Sequence, residues 1–289
     1  MMTTKVLILG AKGMLGQELV DVFSQDEKYT VTSWDFEDID VTDFVSAEEK
    51  IRSFASDIIV NAVAYNAVDK CEESDEEYEK AMMLNALVPK FLAHLAQTLD
   101  NIFVHYSTDY VFDGTNQSGY AENALPQPLS RYGMSKRMGE ENVLAVDGKN
   151  YIIRLSKLFG KPAISTIAKK SFFDVMLQIA KTKERVQAVD DEKSCFTYAP
   201  DLAQETKALL EDRAPWGIYH LPNSDDVTWY EAVQELYTQA KIGVTIQPVG
   251  SDAFPRPARR PQYSKLLNTK RVPLRSYKEA LQAYLAHME

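Results

Sequence analysis

Tyr132 and Lys136 stand four residues apart in a segment with helical character, and Thr108 comes just after Phe103 to Tyr106, which resemble the end of a buried strand. The spacing predicts that the phenol and the ammonium lie on one helix face, one turn apart. A free tyrosine has a pKa of ~10, and we expect the nearby positive charge to lower the pKa of Tyr132. A tyrosine of this kind can donate a proton to a developing alkoxide or take one from an alcohol. With the Thr108 hydroxyl bonded to the same oxygen, the three residues suit ketone–alcohol interconversion.

A glycine-rich turn supports this interpretation, because a tyrosine and a lysine at this spacing also occur on ordinary solvated helix faces. Lys5 to Leu9 (KVLIL) form a short apolar run typical of a strand buried on both faces. The sequence GAKGMLG follows, with Gly10, Gly13 and Gly16, and then a helical pattern begins. Glycines at this turn permit a tight bend and let backbone N–H groups approach a pyrophosphate. The spacing, familiar from short-chain dehydrogenases, predicts a dinucleotide site; the alternative is a plain glycine-rich turn.

Asp35 ends a second predicted strand, Tyr29 to Trp34, and lies 19 residues after Gly16 (35 − 16). A carboxylate at this place can accept hydrogen bonds from the ribose 2′-hydroxyl of NADH and repels the 2′-phosphate of NADPH. Lys12 is the one nearby cation that could reach such a phosphate. We therefore expect NADH to be preferred and NADPH to be usable, unless Asp35 is only a helix or turn cap.

The composition disfavours several classes of protein. The chain has 289 residues, 45% of them hydrophobic and 26% charged, which is ordinary for a globular protein with a large core. The net charge of −10 argues against nonspecific binding of nucleic acid. Cys71 and Cys195 show no metal-ligand spacing, so we expect neither a disulfide framework nor a metal site. No cleavable signal pattern and no apolar run of ~18–20 residues are present, and we expect a cytoplasmic protein without a membrane partner.

Strands alternate with helices through the first part of the chain. The patterns predict strands over 5–9, 29–34, 57–63, 103–106 and 151–155 and helices over 44–55, 72–99 and 131–146, with a possible kink at Pro89. This order predicts an α/β fold with a Rossmann-like doubly wound parallel sheet and the ligand at the carboxyl ends of its strands. Residues 1–160 would form the dinucleotide-binding domain.

The second part of the chain has more loop between its elements. It is predicted to contain helices over 165–182, 199–211 and 228–240 and strands over 186–190 and 217–221. We interpret residues 161–289 mainly as a smaller C-terminal substrate lobe, partly interleaved with the first domain. The segment FPRPARRPQYSK carries Arg256, Arg259 and Arg260 in an otherwise acidic chain. It is either a proline-rich surface loop or a clamp for phosphate oxygens, which guanidinium groups bind in a bidentate manner.

Six motifs together resemble the dTDP-4-dehydrorhamnose reductase family of the extended short-chain dehydrogenase/reductase superfamily. They are GAKGMLG, DIDVTD, NAVAYNAVDKCEE, STDYVFDG, YGMSK and PARRPQYS, and they span nearly the whole chain. The resemblance implies reduction of the 4-keto group of a dTDP-sugar to give dTDP-L-rhamnose, with a substrate bound between two lobes. A homodimer is a separate expectation. It implies that Thr108, Tyr132 and Lys136 are catalytic. It implies a cofactor site formed by Tyr132, Lys136 and the residues Gly10, Lys12, Gly13, Met14, Leu15, Gly16, Asp35, Asp40, Val41, Ala62, Ala64 and Tyr65.

Departures from the family pattern fall on the substrate side. The expected substrate-binding residues are Asn66, Val68, Asp109, Lys157, Arg259 and Arg260. Lys157 stands in RLSKLFG where members of the family usually have a tryptophan, and Asn66 stands where they usually have a threonine. The sequence therefore supports reductase chemistry better than it supports one particular sugar. The alternatives are another nucleotide 4-keto-6-deoxy sugar, or a non-catalytic regulatory subunit of the same fold.

Overall fold

The computed structural model describes residues 3–166 and 168–288. Within these ranges the strands are β1 (Thr4–Leu9), β2 (Tyr29–Trp34), β3 (Ile58–Asn61), β4 (Ile102–Thr108), β5 (Lys149–Leu155), β6 (Leu158–Phe159), β7 (Arg185–Val189), β8 (Lys193–Ser194), β9 (Thr197–Tyr198), β10 (Gly217–His220), β11 (Asn223–Ser224), β12 (Val227–Thr228), β13 (Thr245–Val249) and β14 (Leu274–Ser276). The helices are α1 (Met14–Ser24), α2 (Phe44–Phe54), α3 (Lys70–Glu73), α4 (Asp75–Met82), α5 (Val88–Thr98), α6 (Arg131–Leu144), α7 (Phe172–Ala180), α8 (Ala199–Glu211), α9 (Trp229–Gln239) and α10 (Tyr277–Ala286).

Six parallel strands form the central sheet, in the order β10-β5-β4-β3-β1-β2. The chain moves outward from β1 to β2 on one side and through β3, β4 and β5 on the other, so the strand order reverses between β1 and β3. At such a switch point the carboxyl ends of the strands leave a crevice for a ligand. The doubly wound parallel sheet predicted from the sequence is confirmed.

Both faces of this sheet are covered, which explains the continuous apolar runs of its strands. On one face, α1 and α8 pack their apolar side chains against alternate residues of the strands, such as Val6, Ile8 and Tyr151. On the other face, α2, α5 and α6 cover the intervening residues, such as Leu7 and Phe103. The sheet therefore holds the strand ends, and the loops that follow them, in fixed positions.

A second core lies outside the central sheet and is rich in aromatic residues. Its buried members include Phe159, Phe173, Phe196, Tyr198 and Tyr277, packed with side chains of α7, α9 and α10. Small two-stranded sheets accompany it, pairing β6 with β9, β7 with β13, β8 with β12 and β11 with β14. The predicted boundary at residue 160 is crossed again, since α8 lies against α1 and β10 pairs with β5.

The helix predicted over 165–182 was too long at its N-terminus. The structure begins α7 at Phe172, where Ser171 accepts a hydrogen bond from the Asp174 backbone N–H and Asp174 accepts one from the Ser171 backbone N–H. This reciprocal capping box fixes the first turn. Residues 165, 166 and 168–170 precede it without helical structure, and residue 167 lies outside the described residues.

The long helix predicted before β4 is interrupted just ahead of Pro89. A π-helical turn, Met83–Leu87, joins α4 to α5, and Pro89 lies in the first turn of α5. Proline lacks a backbone N–H and fits this first turn without loss of a helical hydrogen bond. Such wide turns are frequent at functional sites, and this one faces α6.

Among the described residues, no helix is both long and apolar enough to cross a membrane. The same residues contain no group of three or more His, Cys, Asp or Glu side chains placed to hold a metal ion. Cys71 and Cys195 are buried free thiols.

Candidate active site

Thr108 and Tyr132 come together at the carboxyl end of β4. Thr108 is the last residue of that strand, and its hydroxyl accepts a hydrogen bond from the Tyr110 backbone N–H at 3.2 Å. Tyr132 lies in the first turn of α6, which begins where Ser130 caps the Gly133 backbone N–H. Strand end and helix start thus place both hydroxyls beside the crevice of the sheet.

Burial is the largest influence on the pKa of Tyr132. The side chain is only 9% exposed and packs with Cys71, Ala81 and Tyr110. Burial raises the pKa of Tyr132, and the Thr108 hydroxyl lies near enough to oppose part of this rise. The expectation of a lowered pKa was wrong for the protein without ligands, because desolvation of the phenolate dominates and the Lys136 charge is not directed at it. Tyr132 is therefore a protonated phenol at neutral pH, which suits a proton donor.

Lys136 lies one turn after Tyr132, as predicted, but its ammonium has another partner. Nζ donates a hydrogen bond to the Tyr106 carbonyl oxygen at 2.6 Å. The side chain is 2% exposed, and burial lowers the pKa of Lys136 to about 8, while the negative charge of Glu140 acts in the opposite direction. Since the Tyr106 carbonyl belongs to β4, the lysine ties α6 to the strand that carries Thr108.

Sequence reasoning missed Asn85, which connects the loop after β3 to α6. Its Oδ1 accepts from the Tyr65 backbone N–H and its Nδ2 donates to the Tyr65 carbonyl, both at 2.9 Å. The same Nδ2 lies 3.0 Å from the Ser135 hydroxyl, one residue before Lys136. Asn85 lies in the π-helical turn before Pro89. The proline, which predicted a kink in this helix, was the signal in the sequence that pointed to this turn.

We expect Asn85→Leu to weaken both the fold and the cofactor side of the site. Two backbone groups of Tyr65 would lose their partners, and each unsatisfied buried group costs about 1–3 kcal/mol. Urea denaturation should show a lower free energy of unfolding, and the KM for the cofactor should rise. Asn142→Leu is the matched control, since within the described part of the chain its side chain bonds the Ala86 carbonyl and no atom of Tyr65. Equal effects of the two substitutions on this KM would contradict the assignment.

The glycine-rich turn has the geometry that a pyrophosphate requires. Gly10 has a φ of +79°, and a Cβ there would lie 3.0 Å from the Ala62 carbonyl carbon. A Cβ on Gly16 would lie 2.1 Å from the Gly10 carbonyl oxygen, so only glycine lets α1 approach β1 this closely. Gly13 begins α1 without a side-chain cap, and the first turn has no acidic residue. The backbone N–H groups at Met14 and Leu15 therefore remain available for an anion, and the residues present fit a dinucleotide.

Asp35 lies beside this turn, where the sequence placed it. Its Oδ2 accepts from the Lys12 backbone N–H at 2.8 Å, and its Oδ1 accepts from the Phe36 backbone N–H at 2.9 Å. The Lys12 ammonium forms a half-exposed ion pair with Glu37 at 3.0 Å. The Glu37 carboxylate thus competes with a 2′-phosphate for the Lys12 ammonium.

The remaining predicted cofactor residues differ in their surroundings. Asp40 is exposed and caps Thr42 through its backbone N–H and hydroxyl, whereas Val41 is buried under the sheet. The Ala62 backbone N–H bonds the Leu9 carbonyl, so the loop after β3 starts next to the turn. Ala64 is exposed in that loop, and the Tyr65 hydroxyl donates to Glu77.

Two predicted substrate residues sit on or near the loop after β3. Val68 packs in the same cluster as Tyr132, and Asn66 is exposed. Asp109 follows Thr108 and is buried, with its Oδ2 accepting from the Ser264 hydroxyl at 2.6 Å. Burial raises the pKa of Asp109, and the bond from Ser264 opposes that rise. Asp109 therefore holds the C-terminal arginine segment against the catalytic edge.

The three arginines of that segment differ in their surroundings. Arg260 forms a bidentate pair with Asp69, with N–O distances of 2.5 and 2.6 Å. Arg256 pairs with Glu192. Arg259 is exposed and makes no ion pair with any residue that the structure describes. A phosphate clamp would thus rest first on Arg259, with Arg260 able to contribute only beside its carboxylate.

The Lys157 side chain is partly buried, and its shielded ammonium lies beside an aromatic ring of α9. Its Nζ lies 3.7 Å from the centre of the Trp229 ring and 5.0 Å from that of Phe196. Burial lowers the pKa of Lys157 to about 8, against the raising effect of the nearby Asp109 and Glu192 charges. The sequence predicted a cation here but not Trp229, which lies 72 positions further along the chain (229 − 157).

A doubly wound sheet with a glycine-rich turn at its switch point, and a threonine, a buried tyrosine and a lysine beside it, defines a Rossmann-fold reductase that uses a nicotinamide cofactor. A family model described as the RmlD substrate binding domain matches residues 4–289. The chain belongs to the dTDP-4-dehydrorhamnose reductase family, and the family resemblance stated from the motifs is confirmed.

Three similar proteins illustrate the range within this family. A dTDP-4-dehydrorhamnose reductase structure from Clostridium acetobutylicum is 32% identical, with a TM-score of 0.92 and coverage of 99% of each chain. The enzyme of that name from Bacillus anthracis, in complex with NADP, is 29% identical, with a TM-score of 0.92 and coverage of 99% of this chain and 100% of that one. A probable dTDP-4,6-dihydroxy-2-methyloxan-3-one 4-ketoreductase from Streptomyces antibioticus is 34% identical over 95% of this chain and 92% of its own.

Proposed function

We propose that this protein reduces the 4-keto group of a dTDP-6-deoxy-4-keto sugar with NADH or NADPH, and that dTDP-4-dehydro-L-rhamnose is its first candidate substrate. The product would be dTDP-L-rhamnose. The observation that carries the proposal is a buried, protonated Tyr132 facing Thr108 beside a glycine-rich turn. Family members at similar identity carry the names of dTDP-4-dehydrorhamnose reductases and of a related 4-ketoreductase.

The residues of the site would divide the reaction among them. A reduced nicotinamide, when bound, supplies the hydride that converts the ketone carbon to an alcohol carbon. Tyr132 donates its phenolic proton to the oxygen of that ketone, and Thr108 hydrogen-bonds the same oxygen and orients it. Lys136 holds β4 through the Tyr106 carbonyl, and in this proposal its ammonium also contacts the cofactor ribose. Burial of Tyr132 excludes water from the transferred proton.

The cofactor would lie along the glycine-rich turn and the loop after β3. In this proposal Gly10, Gly13 and the first turn of α1 hold the pyrophosphate, and Asp35 binds the adenosine ribose. Asp40, Val41, Ala62, Ala64 and Tyr65 would border the adenine and the nicotinamide half. The sugar nucleotide would lie on the other side of Tyr132, against Asn66, Val68, Asp109, Lys157, Arg259 and Arg260. Residues 1–160 then serve mainly the cofactor and residues 161–289 mainly the substrate, with α8 and β10 as the interleaved part.

We expect NADH to be the better cofactor, because in this proposal the Asp35 carboxylate binds the ribose, and because Lys12 is paired with Glu37. The kcat/KM for NADH should exceed that for NADPH under matched conditions, by about tenfold, the scale of one hydrogen bond to a charged group. Asp35→Ala should reduce this ratio. Lys12→Ala serves as the control for the competing cation. A clear preference for NADPH that persists in Lys12→Ala would contradict this role of Asp35.

The function itself is tested by cofactor oxidation on adding dTDP-4-keto-6-deoxyglucose, with and without an epimerase that converts it to dTDP-4-dehydrorhamnose. Oxidation only with the epimerase supports the rhamnose substrate. Oxidation without it supports another 4-keto sugar, as the name of the Streptomyces antibioticus relative suggests for that protein. No oxidation in either case would contradict the reductase proposal and favour a non-catalytic role. A cytoplasmic location, a homodimer and the absence of nucleic-acid partners stay predictions.

A further inference from the structure

The segment between β6 and α7 crosses the glycine-rich turn and is bonded to it at two points. At the first point, Gln17 donates from Nε2 to two successive carbonyl oxygens, those of Lys161 and Pro162, each at 3.0 Å. At the second point, the Ser165 backbone N–H donates to the Lys12 carbonyl oxygen, also at 3.0 Å. A stretch of chain that lies far from the turn in sequence is therefore attached to it on both sides.

The two attachment points enclose the part of the turn that fits a pyrophosphate. On the turn, residues 13–16 lie between Lys12 and Gln17 and include the start of α1. The attachments use a carbonyl oxygen and a side chain, so they do not occupy the N–H groups that would bind an anion. On the crossing segment, Ala163 and Ile164 lie between the attachment points, and Ile164 is 64% exposed. These two apolar side chains are thus placed beside the anion-binding end of α1.

Both ends of the crossing segment are fixed outside the central sheet. Phe159, the last residue of β6, is buried in the second core. Gly160 packs closely against α8, because a Cβ on it would lie 3.0 Å from the Cβ of Ala199. At the other end, the buried Ser171 caps α7. The segment therefore belongs to the lobe of the second core, and its middle reaches across to the turn of the central sheet.

The Gln17 side chain bonds this segment and, among the described residues, nothing else. It is only 5% exposed, and its Oε1 is buried without a hydrogen-bond partner in that part of the chain. Lys161 and Pro162 are exposed, so their carbonyl oxygens can bond water when Gln17 does not hold them. The two bonds from Gln17 thus contribute little to folding as a whole. Their effect is to hold the segment on the turn.

We propose that residues 161–166 form a cofactor strap, which retains the pyrophosphate of the nicotinamide cofactor on the glycine-rich turn, and that Gln17 is the positioning residue that keeps this strap closed. Ala163 and Ile164 cover the charged groups and exclude water, and hydrogen bonds to the pyrophosphate are stronger in such surroundings. The cofactor leaves after the bonds of Gln17 and Ser165 have exchanged for bonds to water. This inference rests on the proposed function in that a nicotinamide cofactor occupies the turn.

The rates of NADH release and binding test the strap, and stopped-flow fluorescence measures both. Gln17→Leu fills the same buried space and removes the donor. We expect it to release NADH about tenfold faster, the scale of one or two neutral hydrogen bonds. Binding should not become slower, because the strap must also open for entry. Release at or below the wild-type rate would overturn the strap. So would faster release together with slower binding, since that pair of changes indicates damage to the turn itself.

The second attachment point gives an independent pair of variants. Ser165→Pro removes the backbone N–H that bonds the Lys12 carbonyl and should accelerate NADH release as Gln17→Leu does. Ser165→Ala keeps this N–H and should restore release to nearly the wild-type rate. Gln97→Leu is the control for the loss of a glutamine, because Gln97 also donates to a backbone carbonyl, that of Asp147, but lies in α5. Equal release rates in Ser165→Pro and Ser165→Ala would contradict the second attachment.

Hydrogen exchange followed by mass spectrometry reports on the strap without turnover. NADH should slow the exchange of backbone amides in residues 161–166 of the wild type, and less so in Gln17→Leu. A wild type that binds NADH without this protection would overturn the strap and leave the reductase proposal intact. Protection without reduction of any sugar would contradict the reductase proposal while the strap stands. A wild type that binds neither NADH nor NADPH would overturn both.

Discussion

Tyr132→Phe should lower kcat by at least ~100-fold, the scale of lost general acid catalysis, while the cofactor still binds. The phenol lies beside the carboxyl end of β4 and is protonated at neutral pH, since burial raises its pKa. Phenylalanine keeps the ring contacts with Cys71, Ala81 and Tyr110 and removes only the hydroxyl. The measurement is steady-state turnover together with fluorescence titration of NADH.

Tyr151→Phe is the control for the loss of a buried tyrosine hydroxyl. That hydroxyl donates to the Ala214 carbonyl at 2.6 Å, in the core between the sheet and α8. Its removal should reduce stability and leave kcat unchanged. Turnover of Tyr132→Phe close to that of the wild type would remove the phenol from the mechanism.

Lys136→Met should damage both turnover and cofactor binding. The substitution keeps the buried stem and removes the ammonium that bonds the Tyr106 carbonyl at 2.6 Å. We expect kcat to fall and the KM for NADH to rise by about 10- to 100-fold, because a hydrogen bond from a charged group is lost in each case. An unchanged KM for NADH would exclude contact between Lys136 and the cofactor.

The pH dependence of this effect follows from the lowered pKa of Lys136, about 8 in the protein without ligands. The ammonium is present below this pKa and is lost as the pH rises through it. The kcat/KM for NADH, which reports groups of the free enzyme, should therefore decline above about pH 8 in the wild type and not in Lys136→Met. Lys157 has a pKa in the same range, so Lys157→Met is included and should retain the decline in the cofactor profile.

The sequence predicted those parts of the site that depend on short-range patterns. An apolar strand followed by GAKGMLG can form little other than a strand, a tight turn and a helix, and the structure has all three. Tyr132 and Lys136 share a helix face because four residues make about one turn. The class of fold followed from the alternation of strands and helices, which requires no knowledge of distant contacts.

Features that depend on distant contacts could not be predicted. The direction of the Tyr132 pKa shift was wrong, because it depends on how Cys71, Ala81 and Tyr110 surround the phenol. Asn85 holds Tyr65 and Ser135, which lie 20 and 50 positions away. The tryptophan beside Lys157 comes from α9, and no local pattern links it to β5 or β6. The start of α7 was also missed. The capping box of Ser171 and Asp174 begins the helix at Phe172, although the sequence before it suggested an earlier start.

The return of the chain to the central sheet has a consequence for how the protein folds. β5 cannot complete its hydrogen bonds until β10 arrives, and β10 lies more than sixty positions later, with the aromatic core in between. A fragment that ended near residue 160 would leave the edge of β5 open, and such edges promote aggregation. The covering of the sheet by α8 would also be missing. The central sheet should therefore unfold in one cooperative transition together with α8 and β10, and during synthesis we expect residues 1–160 to become stable only after residues 199–220 have been made.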